Sequence, residues 1–490
     1  MGIWERKSGE LAAASSTEFQ RLALPLLRAS WPDMIQPREM KELDRAGIDL
    51  LVWSDDMVFP CVVQCKGFYA QETLGQSQYE QIIDSIDKFQ NSPFRCIEYV
   101  LLHNRERQSK EYHQSIEHRL NELRASGKAQ CACLWDRQTF LKKIKARLAE
   151  IISERFVADS IWQLERQKAL FTFGGLFISK VPIRMQDWVL HQGRGPDEAG
   201  PLTKASVAGL IGSPQRTRWT LVIGHFGVGK TTAVLHAAAT VGNRLVYVRA
   251  QDMPNEFGSM GTNYLMQNIL RGQEILGDYD DVTKKELEGL AGPVLASLLR
   301  KPENGYVVII DGLDEHHTYS SLRGIMLLTN ELAELACPVV LTTRKEHLDS
   351  TSSNFEAMFE KLSRAGANRQ ATIIELQAWT NTEVDDFICH VEQHAHDRRL
   401  GGVLKLIDDF RTGVVYNVFG DLPRNPLFLQ MMFDLAADNL LDVKTRVEVI
   451  RHWVSEKIKR DIQVSRATPV EVIDGDTFVD RMLAVMEVVA

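Results

Sequence analysis

Trp219-Thr220-Leu221-Val222-Ile223-Gly224-His225-Phe226-Gly227-Val228-Gly229-Lys230-Thr231-Thr232 decides how most of this chain is read. Trp219 to Ile223 is a continuous β-branched and apolar run, the mark of a strand buried on both faces. Glycines follow at 224, 227 and 229, and helix-forming residues run from Lys230 to Ala239. Strand, glycine-rich turn and helix in that order are the context a phosphate-binding loop requires. The glycines allow backbone N–H groups, that of Val228 included, to converge on phosphate oxygens at a helix N-terminus. Lys230 is placed for the β- and γ-phosphates of ATP, Thr231 for Mg2+, and Thr232 completes the set.

Two more elements follow in the order such a site needs. Tyr306-Val307-Val308-Ile309-Ile310-Asp311-Gly312-Leu313-Asp314-Glu315 is a buried strand ending in carboxylates. Asp311 is expected in the metal shell, and either Asp314 or Glu315 at the attacking water. Val339-Val340-Leu341-Thr342-Thr343-Arg344 is a strand ending in a cation, which suits Arg344 to the γ-phosphate. Asp-Gly-Leu-Asp-Glu after its apolar strand resembles the NACHT branch of the STAND NTPases. So does Leu422-Pro423-Arg424-Asn425-Pro426-Leu427-Phe428-Leu429, where the resemblance places Pro426 on adenine. The likeness covers residues 205–440 and implies a nucleotide switch that drives oligomerisation.

A second pattern lies upstream. Gly47-Ile48-Asp49-Leu50-Leu51-Val52-Trp53 reads as a strand, Ser54-Asp55-Asp56 as a turn, and Phe59-Pro60-Cys61-Val62-Val63-Gln64-Cys65-Lys66 as the returning strand. Two-residue spacing puts Gln64 and Lys66 on one face, where Asp49 can meet them across the ladder. The Asp49 carboxylate, the Gln64 amide oxygen and the Cys65 backbone carbonyl are candidate Mg2+ ligands. Lys66 is then placed to orient a water and offset charge in phosphodiester cleavage. Glu18, on an amphipathic helix from Thr17 to Ser30, is the candidate for a further carboxylate, with Gln20 the competing position. Asp49 with Gln64-Cys65-Lys66 resembles the PD-(D/E)XK nuclease superfamily in its Mrr-like restriction branches. Gln64 stands where an acid is commoner, which implies a weaker metal site, and Gln78 falls where such nucleases carry a supporting amide.

The remaining numbers bound these readings. A chain of 490 residues exceeds one core and calls for several domains. The expected fold class is α/β: a restriction-endonuclease-like α/β/α domain at 1–154, a connector at 155–215, a P-loop NTPase core with a parallel sheet at 216–375, and a helical, winged-helix-like region at 376–490 that looks truncated. Gln192 to Pro201 reads as a loop, Lys444 to Lys459 as a helix, and the chain closes on the apolar run Met482 to Ala490. No apolar run reaches the roughly 20 residues that cross a bilayer, so a cytoplasmic protein without membrane contact is expected. Seven cysteines without metal-ligand spacing fit reduced core thiols.

The net charge of −8 argues against indiscriminate DNA binding. Lys142, Lys143, Lys145 and Arg147 are the better candidates for phosphate contact, whereas Lys110 to Arg124 interleaves acids and bases like a solvated helix face. Together the two resemblances imply an antiviral STAND (Avs-like) effector: an ATP-gated, Mg2+-dependent endonuclease for double-stranded DNA. They imply activation as a homo-oligomer, a tetramer, on sensing a phage protein through a region this chain lacks. A restriction factor cutting modified DNA and a non-catalytic, nucleotide-gated DNA-binding scaffold are the alternatives.

Overall fold

A computed structural model describes residues 2–452 apart from 189–201, 212–218, 254–263, 359–370, 442–447 and shorter breaks at 38–39, 57, 70–72, 107–108, 242–244, 273–274, 302–303, 317–320 and 336, with isolated residues between 170 and 179 and between 352 and 356. The readings at Gln192–Pro201, most of Lys444–Lys459 and Met482–Ala490 lie outside the described residues.

The chain divides into two compact units, and the division is discontinuous. The first holds Met1–Arg155 with Glu256–Lys301; the second holds Phe156–Asn255 with Pro302–Ala490. Residues 256–301, read from the sequence as part of the NTPase core, therefore pack with the N-terminal residues.

In the first unit α1 (Ile3–Ala13) and α2 (Ser16–Leu27) precede β1 (Met34–Ile35), α3 (Lys41–Arg45), β2 (Leu50–Val52), β3 (Val58–Lys66), α4 (Gln76–Asn91), β4 (Arg95–His103), α5 (Lys110–Ala125), β5 (Ala129–Trp135) and α6 (Arg137–Ala169), which runs on into the second unit. The five strands form one sheet in chain order. β1, β2 and β3 pair antiparallel, and β3, β4 and β5 pair parallel. Val62, Tyr99 and Leu101 are fully buried in the core, with Phe89 from α4 and Leu120 from α5 packed beside them. α2 has its own apolar stripe of Phe19, Ala23, Leu26 and Leu27.

The second unit starts its sheet earlier than the sequence suggested. β6 (Val181–Trp188) and β7 (Thr203–Ala205) fall in the expected connector, followed by α7 (Val207–Ile211), β8 (Trp219–Gly224), α8 (Lys230–Val241) and β9 (Leu245–Arg249). The chain then passes through α9 (Tyr264–Gly272) and α10 (Asp281–Leu299), which belong to the first unit, and returns as β10 (Val307–Asp311). It continues through α11 (Leu322–Ala333), β11 (Val339–Arg344), α12 (Lys345–Ser350), β12 (Ala371–Leu376), α13 (Asn381–Arg398), α14 (Gly401–Arg411), α15 (Val414–Phe419) and α16 (Pro426–Ala437). The seven-stranded sheet runs β7-β6-β12-β8-β11-β10-β9. Its five strands from β12 to β9 are parallel, and β6 and β7 add on antiparallel at one edge.

β11 is inserted between β8 and β10, so the loop after β8 and the acidic end of β10 flank the end of β11. This is a mixed α/β unit of P-loop NTPase-like order, in which ligands meet the carboxyl ends of parallel strands. The helices from α13 to α16 form a separate apolar cluster around Phe387, Phe410 and Phe433. Among the described residues no helix is long and apolar enough to cross a membrane.

Candidate functional sites

In the second unit the glycine-rich loop closes on itself. Gly227 and Gly229 take φ of +82° and +93°, the left-handed region that side chains resist. Lys230 turns back, its Nζ donating to Gly224 O at 2.8 Å and His225 O at 3.2 Å. Burial lowers the pKa of its ammonium, and the nearby Asp314 and Asp311 carboxylates oppose that shift.

Asp311 ends β10 at 4% exposure. It accepts hydrogen bonds from Thr342 Oγ1 at 2.5 Å and from Tyr247 Oη at 3.1 Å, and bonds the Thr231 side chain as well. Burial nevertheless raises its pKa. A hydroxyl and a buried carboxylate in contact, Thr231 and Asp311, are the donor set a nucleotide-bound Mg2+ takes from a protein, so the residues fit that ion.

Asp314 and Glu315 differ in freedom. Asp314 accepts from Arg344 N at 3.0 Å, Thr343 Oγ1 at 3.2 Å and Arg344 Nε at 2.9 Å. Glu315 has a longer contact with Arg344 Nη2, at 3.6 Å, and lies 3.2 Å from the Gln251 side-chain amide. Its pKa is raised by burial and then by the two neighbouring aspartates. Arg344 also stacks 5.1 Å over the Phe226 ring, so the γ-phosphate candidate is held by protein groups on three sides.

A cavity of about 330 Å3 joins these groups. Gly227 to Thr232 line its phosphate side, while Trp379, Pro426, Leu427 and Ile178 give it an apolar wall. That size is at the lower end for a small-molecule site. Pro426, which the resemblance assigned to adenine, is part of that apolar wall.

The preceding residue, Asn425, is one that sequence reasoning missed. Its Oδ1 caps α16 by accepting from Leu427 N at 3.1 Å and Phe428 N at 3.3 Å, and its Nδ2 donates to Phe226 O at 2.8 Å. One side chain thus ties the phosphate loop to the helical cluster. An Asn before Pro at a helix start signals the cap, but nothing in the sequence signals the second bond.

In the first unit Asp49, Gln64 and Lys66 come together. β2 pairs with β3 through Leu50 opposite Val63. Asp49 Oδ2 accepts from Gln64 Nε2 and, at 2.8 Å, from Cys65 N. The bond seen at Cys65 is therefore through its N–H, where the sequence suggested its carbonyl as a ligand. Burial pushes the Asp49 carboxyl up to about 6, against the pull of the Cys65 N–H and the Lys66 charge. Burial lowers the Lys66 ammonium, which Asp49 opposes.

α2 supplies Gln20 to this cluster, as a hydrogen-bond partner of Asp49. Glu18 is exposed and faces Arg21 at 3.8 Å, so the further carboxylate expected from the sequence is not at the site. The reason is helical phase: the buried stripe of Phe19, Ala23, Leu26 and Leu27 leans to the side of Gln20 and away from Glu18. Gly67 lets β3 approach α2 this closely, because a Cβ there would meet Phe19 Cβ and Ser15 O, each at 2.6 Å. Gln78 is used differently from its expected role: its side chain caps α4, accepting from Gly75 N at 3.1 Å.

Asn104, just past β4, fixes the same corner. Its Oδ1 accepts from Phe68 N at 2.9 Å, and its Nδ2 donates to Leu11 O, Ala14 O and Phe68 O, each at 3.2 Å. It joins the segment after Lys66 to the turn before α2.

The fit of a divalent cation can be judged from Gln64. Its Oε1 is buried without a hydrogen-bond partner. That unsatisfied oxygen and the neighbouring Asp49 carboxylate are a pair of oxygen donors of the kind a hard cation takes. The residues fit Mg2+ through this pair. Among the described residues no group of three or more His, Cys, Asp or Glu side chains is assembled, so the protein offers few charged ligands.

Of the basic residues, Lys142 and Lys145 are exposed, Lys143 lies 5.7 Å over the Trp135 ring, and Arg147 is paired with Glu150. Arg119 is bound by Glu122 and Asp87, in keeping with a solvated helix face. Among the described residues no cysteine is in a disulfide; Cys61, Cys65, Cys96 and Cys337 are buried, but Cys131 and Cys389 are exposed and are not core thiols.

No protein-family model matches the chain, and no curated protein matches it. Among solved structures, a Walker-type ATPase of Pyrococcus abyssi aligns at a TM-score of 0.32 and 13% identity, over 53% of this chain and 75% of that one.

Proposed function

We propose that the chain is an ATP-gated, Mg2+-dependent DNA endonuclease that serves in defence against phage as a homo-oligomer. The observation that carries the reading is the meeting of Asp49, Gln64 and Lys66 in one unit of a chain whose other unit builds the phosphate-loop cavity. Mg2+, when bound at Asp49, would supply positive charge against a phosphodiester of duplex DNA. Asp49 holds that position because Gln20 and the Cys65 N–H fix its carboxylate. Lys66 neighbours it with a lowered pKa, suited to orienting a water and exchanging a proton with it. In the second unit Lys230, Thr231 and Asp311 would hold ATP and its metal, and Arg344 would exchange its Asp314 contact for the γ-phosphate.

The test is cleavage of supercoiled plasmid by the full chain with ATP and Mg2+, with and without candidate phage proteins. Lys66→Ala should abolish it. Equal degradation by the variant would show that the cutting comes from elsewhere.

One observation favours a second reading. Among the described residues that bond at this corner Asp49 is the one carboxylate, which suits a head that grips DNA without cutting. In that case ATP-dependent retention of DNA occurs with no cleavage, and Lys66→Ala weakens retention.

A further inference from the structure

Residues 256–301 leave the second unit after β9 and re-enter it before β10. The segment leaves from the Arg249 end of β9 and returns to the Val307 end of β10; the two strands pair in parallel, Arg249 opposite Asp311, the carboxylate proposed for the nucleotide's metal. Between them α9 and α10 pack with the N-terminal residues. Three ion pairs hold the segment there: Lys7 with Glu286, Arg28 with Asp280 at 2.6 Å, and Arg155 with Asp278.

Lys7 is 7% exposed, and its partners are Glu10 on α1 and Glu286 on α10. Removing Glu286 would leave a buried ammonium half paired, so this contact resists sliding. Arg28 directly follows α2 and also donates to Met34 O at 3.0 Å and Thr283 Oγ1 at 3.2 Å. Asp280 is the N-cap of α10, accepting from Val282 N and Thr283 N. The end of α2 is therefore pinned to the start of α10, while the first turns of α2 carry Gln20, the partner of Asp49.

We propose that the α9–α10 segment reports nucleotide occupancy in the second unit to the Asp49 corner of the first, with α2 as the moving part. This rests on the reading of both sites given above and names the regulation of the first. A shift of β9 and β10 on ATP binding enters the segment along the chain, which joins it to both strands. α10 passes it to α2 because the two are pinned end to end, and α2 passes it to Asp49 through Gln20. Coupling of this kind needs contiguous elements that move as bodies.

The experiment is hydrogen exchange on the full chain with and without ATP and Mg2+, with Lys230→Ala as the nucleotide-blind control. In the native protein, exchange in residues 16–27 and at the Cys65 amide should change on the order of threefold or more with ATP. Lys7→Glu and Glu286→Lys should each remove that response while nucleotide affinity is kept, and the double exchange should restore it. Arg28→Gln, which cuts the Asp280 pair at the surface, gives a second route if the Lys7 variant folds poorly. A native protein whose first unit ignores ATP, or single variants that respond like it, would overturn the coupling. Plasmid cleavage is read in parallel: an intact exchange response without cleavage sinks the nuclease reading and leaves the coupling standing.

Discussion

The carboxylate of Asp314 is bound by Arg344 twice, through the backbone N–H at 3.0 Å and through Nε at 2.9 Å. Glu315, one residue on, is 3.6 Å from the same guanidinium and 3.2 Å from the Gln251 side-chain amide. On the proposed reading the bound group braces Arg344, and Glu315, its pKa raised by burial, is the candidate for the base. Glu315→Gln should cut ATP hydrolysis by about 10²-fold or more while ATP still binds, in line with loss of a general base. Asp314→Asn should release Arg344 and change nucleotide affinity as well. Steady-state phosphate release together with a fluorescent-ATP titration separates the two.

The phosphate loop depends on a residue far away in sequence. A methyl group at Gly227 would sit 2.6 Å from Asn425 Oδ1, in a backbone conformation that costs an L-residue about 1–2 kcal/mol. Gly227→Ala and Asn425→Ala should therefore both weaken ATP binding, the second with an added loss of about 1 kcal/mol from the α16 cap. Lys230→Ala should abolish binding without lowering the melting temperature of the first unit. Isothermal titration and thermal melts check all three.

Asp49 makes stability depend on pH in an unusual direction. Its carboxyl lies at about 6 in the fold against an ordinary 3.8. Between those values the folded chain keeps a proton the unfolded chain has lost, so stability falls as pH rises through this window and levels off above it. The cost at pH 7 is about 3 kcal/mol. Asp49→Asn should raise the melting temperature at pH 7 by several degrees in chelator. Mg2+ should then stabilise the native protein and leave the variant unchanged. A variant that melts lower than the native protein in chelator would show that Asp49 is a structural acceptor alone.

Helical phase on α2 gives a clean contrast. Glu18→Ala should leave cleavage within about twofold, as expected for an exposed surface change. Gln20→Ala should reduce it about tenfold by releasing Asp49, with KM for DNA little altered. Plasmid-nicking kinetics on the two variants decide it.

The phosphate loop, its acidic strand and Arg344 were legible because each demands particular residues at fixed distances from a strand end. The Asp49–Gln64–Lys66 meeting was legible for the same reason: strand alternation leaves few choices of face. Glu18 was misplaced because positions 18 and 20 differ in rotation about the helix axis, and which residues of α2 are buried, Ala23 and Leu27 with Phe19, is a tertiary fact. β6 and β7 were hidden in the expected connector because they join at the sheet's antiparallel edge, where no long apolar run is required. α10 has a buried side including Leu287, Leu290 and Leu295, and an apolar stripe does not name its partner.

Because α9 and α10 lie between β9 and β10 in the chain, no single cut yields the head whole. A fragment ending near residue 155 would lose the partners of Lys7 and Arg28, baring the outer sides of α1 and α2 to water. For the same reason, recombination at one crossover cannot exchange the first unit whole. The two units must be inherited as a matched pair, or exchanged together with the loop that one lends the other.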